Sequence, residues 1–80
     1  MERLFEREDT MDFSWEPGFE IRTRIEDDGA MVISCNRAGL ISLANHLIAL
    51  AQERPGGHFH LDEHNALEEG SVELVVELVG

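Results

Sequence analysis

Positive charge is scarce in this chain of 80 residues: six basic side chains, all Arg, stand against seventeen Asp and Glu. The resulting formal charge of −11 repels phosphate backbones and anionic lipid, which argues against a nucleic-acid or membrane-surface role. It favours a basic partner, although solubility is the plainer use of such a charge. Cysteine is nearly absent too. Cys35 is the only one, so no internal disulfide can form and a reducing compartment is expected. With no neighbouring base, Cys35 reads as a small apolar strand residue rather than a nucleophile.

Other absences narrow the function further. The opening MERLFERED mixes acids with Arg and lacks the apolar run of a secretory leader. No stretch is long and apolar enough to span a bilayer, so the cytoplasm is the expected location. Ser14, Ser34, Ser42 and Ser71 lie outside any GxSxG-like context. Gly56-Gly57 follows a helical pattern rather than opening one, so no phosphate loop is present. A chain this small also leaves little room for an enclosed pocket. An enzyme is therefore not expected.

The sequence does contain enough apolar residues for a core, at 42%, and its length makes one domain. Its most organised stretch is residues 36–54, NRAGLISLANHLIALAQER. Leu40, Leu43, Ala44, Leu47, Leu50 and Ala51 recur at helical spacing and are expected to face the core, with Ile41 and Ile48 widening that face. Ser42, Asn45, His46, Gln52 and Glu53 fall on the expected solvent side. Asn36 suits an N-cap, Gly39 loosens the first turn, and Pro55-Gly56-Gly57 stops the helix.

Strands flank it. Residues 19–26, FEIRTRIE, alternate Phe19, Ile21, Thr23 and Ile25 against Glu20, Arg22, Arg24 and Glu26. Asp27-Asp28-Gly29 signals a hairpin returning through residues 30–35, a strand apolar enough to be central. Residues 58–62 alternate Phe59 and Leu61 with His58, His60 and Asp62. After a polar loop anchored by Leu67, residues 72–79 set Val72, Leu74, Val76 and Leu78 against Glu73, Val75, Glu77 and Val79. The order ββαββ closes most simply as an α+β two-layer sandwich: one four-stranded antiparallel sheet with a helix on one face. Residues 19–80 form this domain. Residues 1–18 are an acidic segment, either a tail or an extra edge strand in which Met11, Phe13 and Trp15 alternate with polar neighbours.

Phe19, Ile21, Ile25, Phe59, Leu61, Leu74, Val76 and Leu78 are expected on the core side of the sheet. The open face then carries Arg22, Arg24, His58, His60, Asp62, Glu73 and Glu77, with Val75 and Val79 among them. Arg22 and Arg24 suit cross-strand pairs with Glu73 and Glu77. His58, His60 and Asp62 are the best metal-ligand set available, for zinc or a similar ion, since residues two apart on a strand share a face. His46 is expected to be solvated or a cap. A partner-binding surface of His58, His60, Glu73, Val75 and Glu77 combines acids, ring nitrogens and an apolar centre.

Asn36-Arg37-Ala38-Gly39-Leu40 leads into an apolar helix ending near Ala51. Gly57-His58-Phe59-His60-Leu61-Asp62 and then Gly70-Ser71-Val72-Glu73-Leu74 follow it. With these motifs residues 19–79 resemble immunity protein 32, a strand-rich family of bacterial polymorphic toxin systems with characteristic histidines. The resemblance implies a protein that binds and neutralises a cognate toxin, with His58 and His60 as the family's histidines. The acidic N-terminal segment has no counterpart in it. The leading expectation is thus a small acidic protein-binding module. The alternatives are a metal-binding protein using the His58/His60 strand and a regulatory homodimer joined through sheet edges or the open face.

Overall fold

The computed structural model describes residues 15–80. Its elements run β1 (Ile21–Ile25), β2 (Met31–Cys35), α1 (Arg37–Ala51), β3 (His58–Leu61) and β4 (Leu74–Glu77). The α+β class and the ββαββ order are as expected, with elements trimmed at their ends. Met11 and Phe13 of the suggested edge strand lie outside the described residues, and Trp15 and Glu16 belong to no strand.

The first hairpin closes as its sequence demands. Gly29 takes φ 92°, a conformation that glycine adopts without steric cost. The Asp28 carboxylate accepts from the Ala30 N–H at 2.9 Å. The register pairs Ile21 with Cys35, Thr23 with Ile33 and Ile25 with Met31. β3 and β4 pair antiparallel with His58 opposite Glu77 and His60 opposite Val75.

The single four-stranded sheet does not form; two two-stranded sheets stand in its place. The reason lies in residues 68–72. Glu68 N–H donates to the Ile21 carbonyl at 2.9 Å and Val72 N–H to the Thr23 carbonyl at 3.3 Å. Between them, the Ser71 hydroxyl accepts from the Thr23 N–H at 3.2 Å, and the Thr23 hydroxyl donates to the Val72 carbonyl. Side chains thus satisfy groups that ladder bonds would otherwise satisfy. This lacing runs parallel to β1, because both backbone bonds advance in the same sense along the chain. β2 is consequently an outer strand paired with β1 alone, not a central one, and Met31, Ile33 and Ser34 are exposed.

Ile21, Leu61, Ala66, Leu67 and Leu74 form the buried core, with Phe19, Cys35, Leu43, Phe59 and Val76 packed against it. Leu67 anchors its loop as expected. Ile25 does not join the core. It is 56% exposed beside Met31 at the tip of the first hairpin.

The helix is turned away from the face its apolar spacing suggests. Leu50 and the half-buried Leu43 meet the core as expected, but most of the contact is made by residues expected in solvent. Gly39, Ser42, Asn45, His46, Ala49 and Leu50 are buried, whereas Leu40 is 57%, Ile41 44% and Leu47 43% exposed. Small residues explain the choice, since Gly39, Ser42 and Ala49 allow close approach. A Cβ on Gly39 would lie 2.2 Å from the Glu20 carbonyl oxygen. The glycine is therefore a contact point with the chain entering β1 rather than a weak first turn. The polar members are satisfied where they lie. Ser42 Oγ accepts from Glu16 N–H at 2.7 Å, and His46 Nδ1 sits 2.9 Å from the Ser42 carbonyl. A carbonyl only accepts, so Nδ1 carries the proton. His46, expected in solvent or at a cap, is buried between the rings of Trp15 and Phe59. The Trp15 ring is tilted by 44° with its centroid 4.0 Å away, Phe59 meets the imidazole edge-on at 5.5 Å, and Phe19 stacks on Trp15 at 4.5 Å.

Asn36 caps the helix, accepting from Gly39 N–H at 2.7 Å. The same oxygen accepts from Glu20 N–H at 3.0 Å, and its amide donates to the Gly18 carbonyl at 2.9 Å. The helix ends at Ala51, ahead of Pro55, with Gln52 N–H donating to the Ala49 carbonyl.

Candidate partner-binding face

Alternation along β3 and β4 decides which side chains meet. Phe59, Leu61, Leu74 and Val76 turn toward the core, so His58, His60, Val75 and Glu77 are left on the opposite, exposed face. Glu73, just before β4, is exposed beside them. The structure therefore brings all five expected partner-binding residues onto one surface.

Hydrogen bonds fix the two rings. His58 Nδ1 lies 3.2 Å from the Gly56 carbonyl, so it donates. His60 Nδ1 lies 3.0 Å from Glu73 Oε2, a bond that becomes an ion pair when the ring is protonated. The rings meet edge to face with centroids 5.0 Å apart. With each Nδ1–H donating, each neutral ring keeps Nε2 as an acceptor. Together with the carboxylates of Glu73 and Glu77, the face offers acceptors around the half-exposed Val75. That composition suits a partner rich in Arg or Lys donors with an apolar contact at its centre.

Asp62 is turned away from this cluster. Its carboxylate accepts from His64 N–H at 2.9 Å, and its own N–H donates to Asn65 Oδ1 at 2.8 Å, so it opens the following turn. Among the described residues, no group of three or more His, Cys, Asp or Glu is placed to hold a metal ion. His58 and His60 are adjacent, but Asp62 does not complete them.

The cross-strand pairs suggested for Arg22 and Arg24 form with other partners. Arg22 Nη1 donates to the Glu69 carbonyl at 2.9 Å. Arg24 pairs with Glu26 and donates to Ser34 Oγ at 3.0 Å. Both arginines belong to the first sheet, whose partner strand is β2, whereas Glu77 is in the second sheet and Glu73 just precedes it. A shallow hollow of about 330 Å³ lies beside Arg22, lined also by Glu20, Ser34, Cys35, Asn36 and Glu68. Burial raises the Cys35 thiol above its ordinary pKa, the opposite of what an activated nucleophile needs.

Sequence reasoning missed the outer face of α1. The signal was there to read: α1 has no charged residue after Arg37, and the next along the chain is Glu53. That side of the helix, with Leu40, Ile41 and Leu47, is exposed. No helix among the described residues is long and apolar enough to cross a membrane.

Compared with models of protein families, residues 30–79 match the model described as Immunity protein 32. No curated protein and no solved structure matches the chain.

Proposed function

The chain belongs to the immunity protein 32 family, and from that premise we propose that it binds and neutralises a cognate bacterial toxin in the cytoplasm. The observation that carries this reading is the family match itself, which takes in β2, α1, β3 and β4 and so includes the exposed His58/His60 face. Neutralisation is stoichiometric: the protein covers a toxin surface rather than transforming a substrate. Its net charge of −11 draws a basic toxin in before contact. His58, His60, Glu73, Val75 and Glu77 then make the contact, with Val75 desolvated at the centre and the acids at the rim.

The test is co-expression with a toxin domain encoded beside this chain. The expected result is restored growth and an equimolar complex on gel filtration. A toxin that kills cells equally in its presence, and elutes apart from it, would refute the proposal.

A second reading is favoured by one observation, the 5.0 Å pairing of the His58 and His60 rings. Two imidazoles on one strand are half of a zinc site, and a small metal-binding regulator would use them. The second half would have to come from elsewhere.

A further inference from the structure

Ladder parity leaves one edge of the first sheet open. Glu26 N–H donates to the Ala30 carbonyl and Asn36 N–H to the Glu20 carbonyl, so Ala30, Val32, Ser34 and Asn36 turn their backbone groups toward β1. The N–H and C=O of Met31, Ile33 and Cys35 therefore point away from it. Among the described residues they meet no other strand. We propose that a second copy pairs here, β2 against β2, antiparallel about a two-fold axis at Ile33. The two hairpins then make one four-stranded sheet in the order β1-β2-β2-β1. This interface is separate from the His58/His60 face and does not rest on the toxin reading.

Unpaired backbone groups name the conformation of the occupant, because an extended strand is what satisfies a row of alternating donors and acceptors. Native edges are commonly blunted by a charge, a proline or a bulge. This edge has none of them. Residues 29–36, GAMVISCN, carry no charge and no Pro, and the pairing of β2 with β1 is continuous.

Charge at the two ends of the edge selects a second copy. Asp27 and Asp28 stand at the hairpin tip and Arg37 follows Asn36 at the other end, all three exposed. None of them is in an ion pair among the described residues. Gly29 and Arg37 lie four residues on either side of Ile33. The antiparallel register therefore sets Arg37 of each copy beside Asp28 of the other, at both ends of the seam. A strand from a basic partner would meet Arg37 at one end and no acid along the edge itself.

Apolar surface points the same way. Alternation puts Ile25, Met31 and Ile33 on the core side of the sheet, yet all three are exposed toward the hairpin tip. In the two-fold register Met31 lies opposite Cys35 of the other copy, and Ile33 lies opposite Ile33. Cys35 is paired with Ile21 and packs on its own core. Each exposed Met31 thus extends the apolar row of the other molecule. Both copies carry −11 and the seam is one strand long, so the dimer is weak and tightens as salt screens the repulsion.

Sedimentation equilibrium on the full chain, from about 1 μM to 1 mM, tests for the dimer. The expected mass rises from 9.0 kDa toward twice that with concentration, with a lower midpoint in high salt. Amide hydrogen exchange by NMR, compared at about 50 μM and 1 mM, tests the seam. Exchange should slow several-fold at Met31, Ile33 and Cys35 and change less at Val32 and Ser34, whose amides face β1. Ile33→Lys and Ile33→Glu should each weaken association at least about 10-fold, because residue 33 faces itself across the axis and like charges then meet. An equimolar mixture of the two should dimerise again, the ammonium of one copy facing the carboxylate of the other. Circular dichroism checks that each variant folds, and where one does not, the exchange pattern of the parent decides. A parent that stays at monomer mass up to 1 mM overturns the proposal. So does a dimer in which Met31 and Ile33 exchange as fast as in the monomer, since the contact then lies elsewhere. A mixture of folded variants that stays monomeric overturns it too.

Discussion

Gly39 packs against Glu20 so closely that a methyl group on the glycine would sit 2.2 Å from the Glu20 carbonyl oxygen. The contact joins the start of the helix to the chain entering β1, and Asn36 locks it by accepting from both Gly39 and Glu20 amides. Backbone, not a flexible side chain, is what the new methyl would strike.

Gly39→Ala should therefore destabilise the protein, against the gain of about 1 kcal/mol that Ala brings to a helix interior. Overpacking against fixed backbone costs about 1–3 kcal/mol, and part of the helix must shift to relieve it. Thermal melts of Gly39→Ala and Asn36→Ala should both fall. The cap variant should lose about 1–2 kcal/mol through its orphaned amides. A Gly39→Ala melt at or above the parent's would mean that the close contact is absent in solution.

The orientation of the helix gives a second prediction. Leu50 is buried and Leu47 is 43% exposed. In dilute protein Leu50→Ala should cost about 2–5 kcal/mol and Leu47→Ala less than about 1 kcal/mol. Leu43, half-buried against the core, should fall between them. The reverse order in chemical denaturation would put the aliphatic stripe back on the sheets.

This reversal shows where sequence reading stops. The strands were legible because alternation has a period of two and assigns each residue to a side without further knowledge. Val76 and Leu74 on one side, Val75 and Glu77 on the other, follow directly from it. The placement of His58 and His60 on one face was legible for the same reason. The bond from His60 to Glu73 was not, since it depends on the register between β3 and β4. For α1, periodicity identified two faces but ranked them by hydrophobicity alone. The helix instead docks by its small and polar face, because Gly39 and Ser42 fit where larger residues would not. Asn45 and His46 also have partners there. The four-stranded sheet failed on a similar detail, the hydroxyls of Ser71 and Thr23 taking bonds that would have continued a ladder.

Zinc binding is a third prediction, and the expected result is negative. A ligand that binds only the folded state raises the melting temperature by mass action. Two imidazoles with no third ligand placed beside them among the described residues hold a divalent ion weakly, and Asp62 is occupied in its turn. Zn²⁺ and Ni²⁺ should leave the melt unchanged to within about a degree at modest excess. A clear rise with Zn²⁺ that disappears in the double variant His58→Ala, His60→Ala would establish the metal reading instead.

The last prediction concerns the toxin. If the β3–β4 face makes the contact, its rim and its centre should affect different rate constants. Glu73 and Glu77 are exposed acids, so reversing them weakens the field that steers a basic partner, and association should slow. Glu73→Arg also removes the acceptor of His60, but that bond lies at the surface and contributes little to stability. Melting temperatures of both Glu variants should therefore stay near the parent's. Val75 is half-exposed at the centre. Val75→Asp puts a charge where the complex is dry, and faster dissociation should follow with little change in association. Raising the salt should slow association of the parent, because screening at physiological ionic strength confines the acidic field to about 8 Å. Stopped-flow or surface-based kinetics with a purified cognate toxin separates the two constants. Rates that ignore all three substitutions would place the toxin on another surface. Association that accelerates with salt would remove charge steering from the mechanism.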